Sequence, residues 1–405
     1  MHRAVQITTW QRLTRPSSNE VPLLDGLRAL SLVAVLLFHY WASLRHFARR
    51  VPDSVDVFLL NLNTGVVLFF VLSGFLISRG LYNEHRRTGE ISFRSFYVKR
   101  TFRILPAYYF FLLFALLFIV INRAKVVHST GILSPTADWY FDFLFISNYL
   151  PGIQGHTWTL SIEEQFYLLF PLLAAFLFKL RRDRLLLALV GIYLIPLAFR
   201  ILSMVTLPEG EYAPHVDRAS LTRFDDIIVG ILLAVGGKEL FPRKFTALIG
   251  LAGLTLTAIV LLLPAQVPDW FVVVRPNFTN LGFGAIVYWA IHREDVKVPK
   301  LVTAVARLSY SMYLWHMIAG AFGAGSVMHL IYDGTKIGAG PLLRGLLVSA
   351  LATGLCGYLS YRFVEQPFLR LREKLETPPE DRKPDDPSTD DQDSQTPGEL
   401  VVTPF

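Results

Sequence analysis

A single cysteine, Cys356, among 405 residues leaves neither a disulfide framework nor a thiol-based metal site available. The chain has no His-Glu-x-x-His cluster, neither type of Gly-rich phosphate loop, and no Gly-x-Ser-x-Gly nucleophile turn. Metal chemistry and a covalent serine mechanism therefore find no support. Charge is scarce too: 18% of residues are Asp, Glu, Lys or Arg against 53% hydrophobic, and mean hydropathy is +0.42. That balance excludes an ordinary soluble domain. No repeat at a fixed period is visible in the sequence.

What the chain does have is a series of apolar stretches long enough to span a bilayer, at about residues 23–44, 58–80, 104–122, 157–178, 185–205, 222–237, 245–263, 272–291, 308–328 and 342–363. They predict an all-α, polytopic integral membrane helical bundle of about ten transmembrane helices. Residues 139–150, rich in aromatics but short and polar, read as a re-entrant or interfacial piece on the outer side. An eleventh span there is the alternative.

Lys and Arg in short loops mark the cytoplasmic side. Such residues precede the first run (Arg3, Arg12, Arg15) and fill the loop between the second and third (Arg86, Arg87, Arg94, Lys99, Arg100, Arg103). They recur after the fourth (Lys179, Arg181, Arg182, Arg184), sixth (Lys238, Arg243, Lys244) and eighth runs (Arg293, Lys297, Lys300). All these groups share one side if both termini are cytoplasmic. Arg45, Arg49 and Arg50 dissent, with Asp53 and Asp56 beside them. The net charge of +7 is thus mostly a topology signal, scattered over separate loops, and implies no nucleic-acid partner. A polar start followed by a run long enough to span predicts no cleavable signal peptide.

The expected division is a cytoplasmic segment 1–22, a transmembrane domain 23–364, an amphipathic cytoplasmic segment 365–376, and an acidic, Pro-rich disordered tail 377–405.

Ionisable residues inside the apolar runs carry the functional reading, because the hydrocarbon core tolerates them chiefly where they face a protein interior or cavity. Arg28 and His39 are eleven residues apart in the first run. Eleven helical steps come to within about 20° of three whole turns, placing both side chains on one face about 16 Å apart. Without a function, Arg28 would snorkel and His39 would bond between helices. The fourth run opens at His156-Thr-Trp and carries Glu163 and Glu164 roughly two turns below its outer end, and a His39–Glu163 or His39–Glu164 pair would make a general base. The two carboxylates point about 100° apart, so only one is expected to reach the histidine. Arg100 and Arg103, at i and i+3, form a guanidinium face suited to phosphate, although topology alone also demands positive loops. Arg28 makes a third cation on that side. Ser73 and Gly74 suggest close helix packing, and Arg223 suggests an ion pair with Asp225 or Asp226. Arg275, Asn277, Tyr310, Tyr313 and His316 are further polar groups in apolar surroundings.

With these residues assembled, the chain resembles the acyltransferase-3 family of membrane O-acyltransferases, which includes bacterial polysaccharide and O-antigen acetylases and macrolide acyltransferases. The resemblance runs from about Leu24 to Arg370. It rests on Leu-Asp-Gly-Leu-Arg28-Ala with His39, Phe-Phe-Val-Leu-Ser73-Gly74-Phe-Leu-Ile, Arg100-x-x-Arg103, His156-Thr-Trp-Thr-Leu-Ser-Ile-Glu163-Glu164-Gln-Phe-Tyr, Arg223-Phe-Asp225, Ser-Tyr310-Ser-Met-Tyr-Leu-Trp-His316 and Val-Glu365-Gln-Pro-Phe. It implies acyl transfer from cytoplasmic acyl-CoA, usually acetyl-CoA, to a hydroxyl of a sugar or glycan acceptor, lipid-linked or macrolide acceptors included. No bound cofactor or metal is implied. His39, as general base or acyl carrier, and Glu163, Glu164, Asp225 and His316 become candidate catalytic residues. Arg28, Arg100 and Arg103 become candidate donor-binding residues, and Ser73, Gly74, Tyr310 and Glu365 accessory ones. The expected setting is the cytoplasmic membrane, multi-pass, in a stand-alone form lacking the C-terminal hydrolase-like domain of some relatives, which either reaches its acceptor directly or hands the acyl group to a partner protein. A proton-coupled transporter or lipid-linked glycan exporter is the competing class.

Overall fold

The computed structural model describes residues 9–14, 21–48, 51–129, 139–207, 218–264, 267–328 and 338–376. The predicted acidic tail, and Arg3, Arg15, Arg49 and Arg50 of the loop-charge pattern, lie outside them. The described residues form α-helices and connecting turns without a β-strand.

A short α1 (Thr9–Thr14) leads into α2 (Pro22–Leu44), whose proline occupies the first turn, where its missing N–H costs nothing. Then follow α3 (Asp53–Asn61), α4 (Gly65–Thr88), α5 (Phe93–Ser129), α6 (Tyr140–Phe143), α7 (Trp158–Leu177), α8 (Arg182–Thr206) and α9 (Ser220–Gly236). The chain continues with α10 (Thr246–Leu262), α11 (Asp269–Ala290), α12 (Lys300–Met328), α13 (Ala339–Ser360), a π-helical turn at Tyr361–Glu365 and α14 (Gln366–Glu376). Each predicted run but the second falls on one helix, and the second is divided between α3 and α4. By length and composition, seven helical stretches among the described residues are apolar enough to cross a membrane. The helices α9, α11 and α12 fall short of that measure because of the polar side chains in their apolar runs, Arg223, Asp225 and Asp226 in α9 among them.

Among the boundaries that differ from the prediction, three bear on the site. The second run breaks at a tight turn, Leu62–Thr64, and restarts at Gly65, which packs against the backbone carbonyl of Ser31. At its far end α4 runs on to Thr88 and stops at Gly89, whose φ of 79° suits glycine. α5 begins eleven residues before its apolar run, so Arg100 and Arg103 ride on its first turns.

Residues 139–150 form a short helix and turns rather than a span-length helix. The Asp142 carboxylate accepts from the Ile153 N–H (2.5 Å) and the Thr157 hydroxyl (2.6 Å). Tyr108 and Tyr109 of α5 donate to the carbonyls of Asp142 and Phe143. Phe145 adopts a φ of 54°, held there by stacking on Tyr108 and by the Gln165 amide on its carbonyl.

The bundle is built of pairs: α12 with α13, α4 with α9, α10 with α11, α8 with α9, and α2 with α12. Ion pairs tie basic loops together, Arg182 to Glu239 (3.2 Å) and Lys238 to Glu294 (2.6 Å), so the loops after α7, α9 and α11 adjoin one another. The dissenting Arg45 is neutralised by Asp56 at 3.1 Å, which weakens it as a topology signal.

Helices α4 and α9 approach at Gly74 and Gly230. A Cβ on Gly74 would strike the Ile227 carbonyl, and one on Gly230 would strike the Val71 carbonyl and the Phe75 nitrogen. Backbone cannot swing aside, so Gly230→Ala is expected to lose about 1–3 kcal/mol to overpacking, read as a lower unfolding temperature in detergent. An unchanged melt would mean that the helices separate without cost.

Candidate active site

Helix α2 presents His39 to α12. The His39 Nδ1 lies 3.0 Å from the Val35 carbonyl and 3.2 Å from His316 Nε2, with ring centroids 4.8 Å apart. The His316 Nδ1 lies 2.5 Å from the Tyr313 carbonyl. A carbonyl only accepts, so in the neutral rings Nδ1 carries the hydrogen on both residues, an assignment made from these partners. The lone pair of His316 Nε2 then faces the Nδ1–H of His39, and the His39 Nε2 keeps its own lone pair.

A third imidazole joins them. His156, just before α7, is buried, its centroid 4.8 Å from that of His316, and its Nε2 donates to the Leu314 carbonyl at 3.2 Å. Tyr313 donates to the His156 carbonyl at 2.9 Å and lies 2.6 Å from the Thr159 hydroxyl.

The expected His39–carboxylate pair is not formed. The hydrogen-bonding partner of Glu163 is Ser73 on α4, at 2.6 Å, and Arg28 and Arg100 are its electrostatic neighbours. Depth explains this. His156 already stands at the level of the histidines, and Glu163 lies a further turn and a half along α7, roughly 7 Å or more deeper. That brings it toward the level of Arg28. Glu164 faces Arg100 and Tyr310 rather than His39. Ser73 therefore does more than permit close packing: it bonds to the carboxylate while Gly74 makes the helix contact.

Below Glu163 the Arg100 guanidinium lies over the Tyr167 ring (5.3 Å) and the Phe96 ring (5.8 Å). Tyr167 in turn donates to Ser73 at 3.4 Å. One turn along α5, Arg103 is ion-paired with Glu365, whose second oxygen accepts from Ser311 at 2.9 Å. The π-helical turn delivers Glu365 to this pair. The Glu365 side chain is fully buried while that of Arg103 is 31% exposed, so the guanidinium keeps an open face. Tyr310, donating to the Ile104 carbonyl at 2.9 Å, sits between Glu164 and the Arg103–Glu365 pair. The arrangement is a polar column through the bundle, with histidines at one end, carboxylates and Arg100 in the middle, and Arg103 with Glu365 at the other.

Asp225 stands outside this column. Its carboxylate is taken by Arg200 at 2.7 Å, both side chains fully buried, and Asn277 donates to it at 3.2 Å. Arg223 pairs with Asp226 at 2.8 Å, and Arg275 with Asn61 at 2.6 Å. Two residues central to this picture, Arg200 and His156, were not singled out from the sequence. Arg200 had a usable signal, an arginine inside the run 185–205. His156 had a weaker one, since it precedes its helix.

Among the described residues no group of three His, Cys, Asp or Glu is arranged to hold a metal ion.

Fold and site together define a multi-pass α-helical membrane protein with a buried row of histidines, carboxylates and arginines. Comparison with known proteins narrows this class. The acyltransferase-3 family model, described as an acyltransferase domain, matches residues 21–361, and the chain belongs to that family. The peptidoglycan O-acetyltransferase OatA of Listeria monocytogenes is 27% identical over 388 residues, covering 88% of this chain and 57% of that protein. The O-acetyltransferase OatA of Staphylococcus aureus is 25% identical over 379 residues, covering 87% and 57%. The chain thus spans 57% of the length of these relatives. No solved structure matches.

Proposed function

We propose that the chain is an acyl-CoA-dependent O-acetyltransferase of the cytoplasmic membrane that acetylates a hydroxyl of a cell-envelope glycan. The observation that carries this reading is the free Nε2 of His39, held in one tautomer at one end of a buried column whose other end offers arginines. Family membership supports acyl transfer, and the names of the relatives support O-acetylation, with peptidoglycan in one of them. Acetyl-CoA approaches with its phosphates toward Arg100, Arg103 and Arg28, cations suited to phosphate oxygens. Its thioester points along the column toward His39.

At the histidine end the acceptor O–H gives its proton to His39 Nε2 as its oxygen adds to the thioester carbonyl. The carbon–sulfur bond then breaks, and the proton on His39 passes to the departing sulfur, releasing CoA as the thiol. Bases and acids of this kind act within hydrogen-bond reach of the proton they move. Ser73, Glu163 and Tyr167 lie between donor and base and order the passage.

The test is CoA-thiol release from acetyl-CoA by the purified protein in liposomes, with and without a crude cell-envelope glycan extract. Release stimulated by the extract is the expected result. No release with any donor chain length, together with proton-coupled uptake of a solute, would return the protein to the transporter class.

A further inference from the structure

We propose that His316 is the positioning residue of this site: it fixes which nitrogen of His39 is free to take a proton and shares the hydrogen on the other nitrogen once His39 is charged. The inference rests on His39 being the base, and it explains how the base works without a carboxylate partner.

Three observations meet here. First, the His316 Nδ1 is committed to the Tyr313 carbonyl at 2.5 Å, so its Nε2 is an acceptor, and that atom lies 3.2 Å from His39 Nδ1. Second, the other acceptor near His39 Nδ1 is the Val35 carbonyl at 3.0 Å, one turn earlier on the same helix. That carbonyl also serves the backbone bond of its own helix, whereas the lone pair of His316 has His39 alone as its partner. Third, His316 is buried and cannot rotate away: His156 lies edge-on at 4.8 Å and Tyr313 lies at 5.2 Å. The titratable groups facing His316 are therefore His39 from α2, His156 from the segment before α7 and Tyr313 from its own helix. Among the described residues no carboxylate hydrogen-bonds to any of the three imidazoles. With its Nε2 committed to the Leu314 carbonyl, His156 leaves its buried Nδ1 as an acceptor without a hydrogen-bond partner.

The role separates two substitutions of similar polarity. In His316→Gln the amide oxygen reaches about as far as Nε2 and restores an acceptor toward His39. In His316→Asn the shorter amide reaches only the Nδ1 position and leaves His39 unsupported. Acetyl-CoA thiol release should be measured with the full-length protein in liposomes, together with the unfolding temperature of each variant. His316→Asn is expected to lower kcat roughly 100-fold with the donor KM within about twofold, and His316→Gln to remain within about tenfold of the wild type. Adding His316→Asn to His39→Ala should cost nothing further, because the two act as a unit. Equal loss in the Gln and Asn variants, or near-normal kcat in Asn, overturns this role alone. Full transfer by His39→Ala overturns the base assignment and this role with it. Should His316→Asn fail to fold, the Gln variant decides: a loss beyond about tenfold in a protein that melts like the wild type counts against the proposal.

Discussion

His39→Ala is expected to lower acetyl transfer by about 10²–10⁴-fold, the usual worth of a positioned general base. The loss should fall on kcat if the donor's phosphates sit, as proposed, at the arginine end, where Arg28 is three helical turns from His39 on α2. The structure makes the result interpretable. The His39 side chain is half-buried and bonds only to a carbonyl of its own helix and to His316, so removing it breaks no ion pair and leaves no charge stranded. The variant should fold, insert and bind donor like the wild type. Binding of a labelled CoA analogue, measured beside thiol release, tells loss of chemistry from loss of the protein. Near-normal transfer by a well-folded His39→Ala would remove the base from this position. An acyl group trapped on the His39 ring would instead make it a carrier, using the same Nε2 lone pair as nucleophile.

The helices were legible because length and apolarity, which the bilayer demands, are written locally in the sequence. The phase of α2 was legible for the same reason, since eleven residues on one helix fix the relative direction of Arg28 and His39 without tertiary information. The break at Leu62–Thr64 was not, because Asn61-Leu-Asn-Thr is only mildly polar and its turn is set by Gly65 packing against α2. Pairing between helices was legible in kind but not in partner. Residue types suggested that His39 would meet a buried polar group, yet a carboxylate and an imidazole satisfy that demand equally. The choice depends on the relative depths of α7 and α12, which no local pattern records. The same holds for Asp225: a carboxylate opening an apolar helix signals a partner, and the partner proved to be Arg200, 25 residues away on α8, while Arg223, two residues before it, pairs with Asp226.

Arg200→Ala or Asp225→Ala is expected to destabilise the fold by about 3–5 kcal/mol, the largest stability effect among the buried pairs. Arg200 uses its whole guanidinium: Nε donates to the Val273 carbonyl (2.8 Å), one terminal nitrogen to the Thr222 carbonyl (2.5 Å), and the other to Asp225 and the Asn277 side-chain oxygen (2.7 Å each). This one side chain pins α8 to α9 and α11 together. Tyr193 and Asn280 extend the network, and Asn280 donates to Asp226 at 3.0 Å. Removing either member of the pair leaves the other's charge buried without its directly bonded counter-charge, which is the expensive case. The Arg103–Glu365 pair should behave differently. Its guanidinium is partly exposed, so Glu365→Ala leaves a cation that solvent can reach, at a smaller cost in stability. Unfolding temperatures of the single variants, and of Arg200→Met/Asp225→Leu as an apolar replacement for both, decide the matter. The double variant should recover most of the loss if desolvation dominates, since two well-packed apolar groups often match a buried ion pair. Single variants that melt like the wild type would show that this network does not hold α8, α9 and α11 together. Loss of transfer in a stable Asp225→Asn variant would instead join Asp225 to the chemistry, despite its place outside the column.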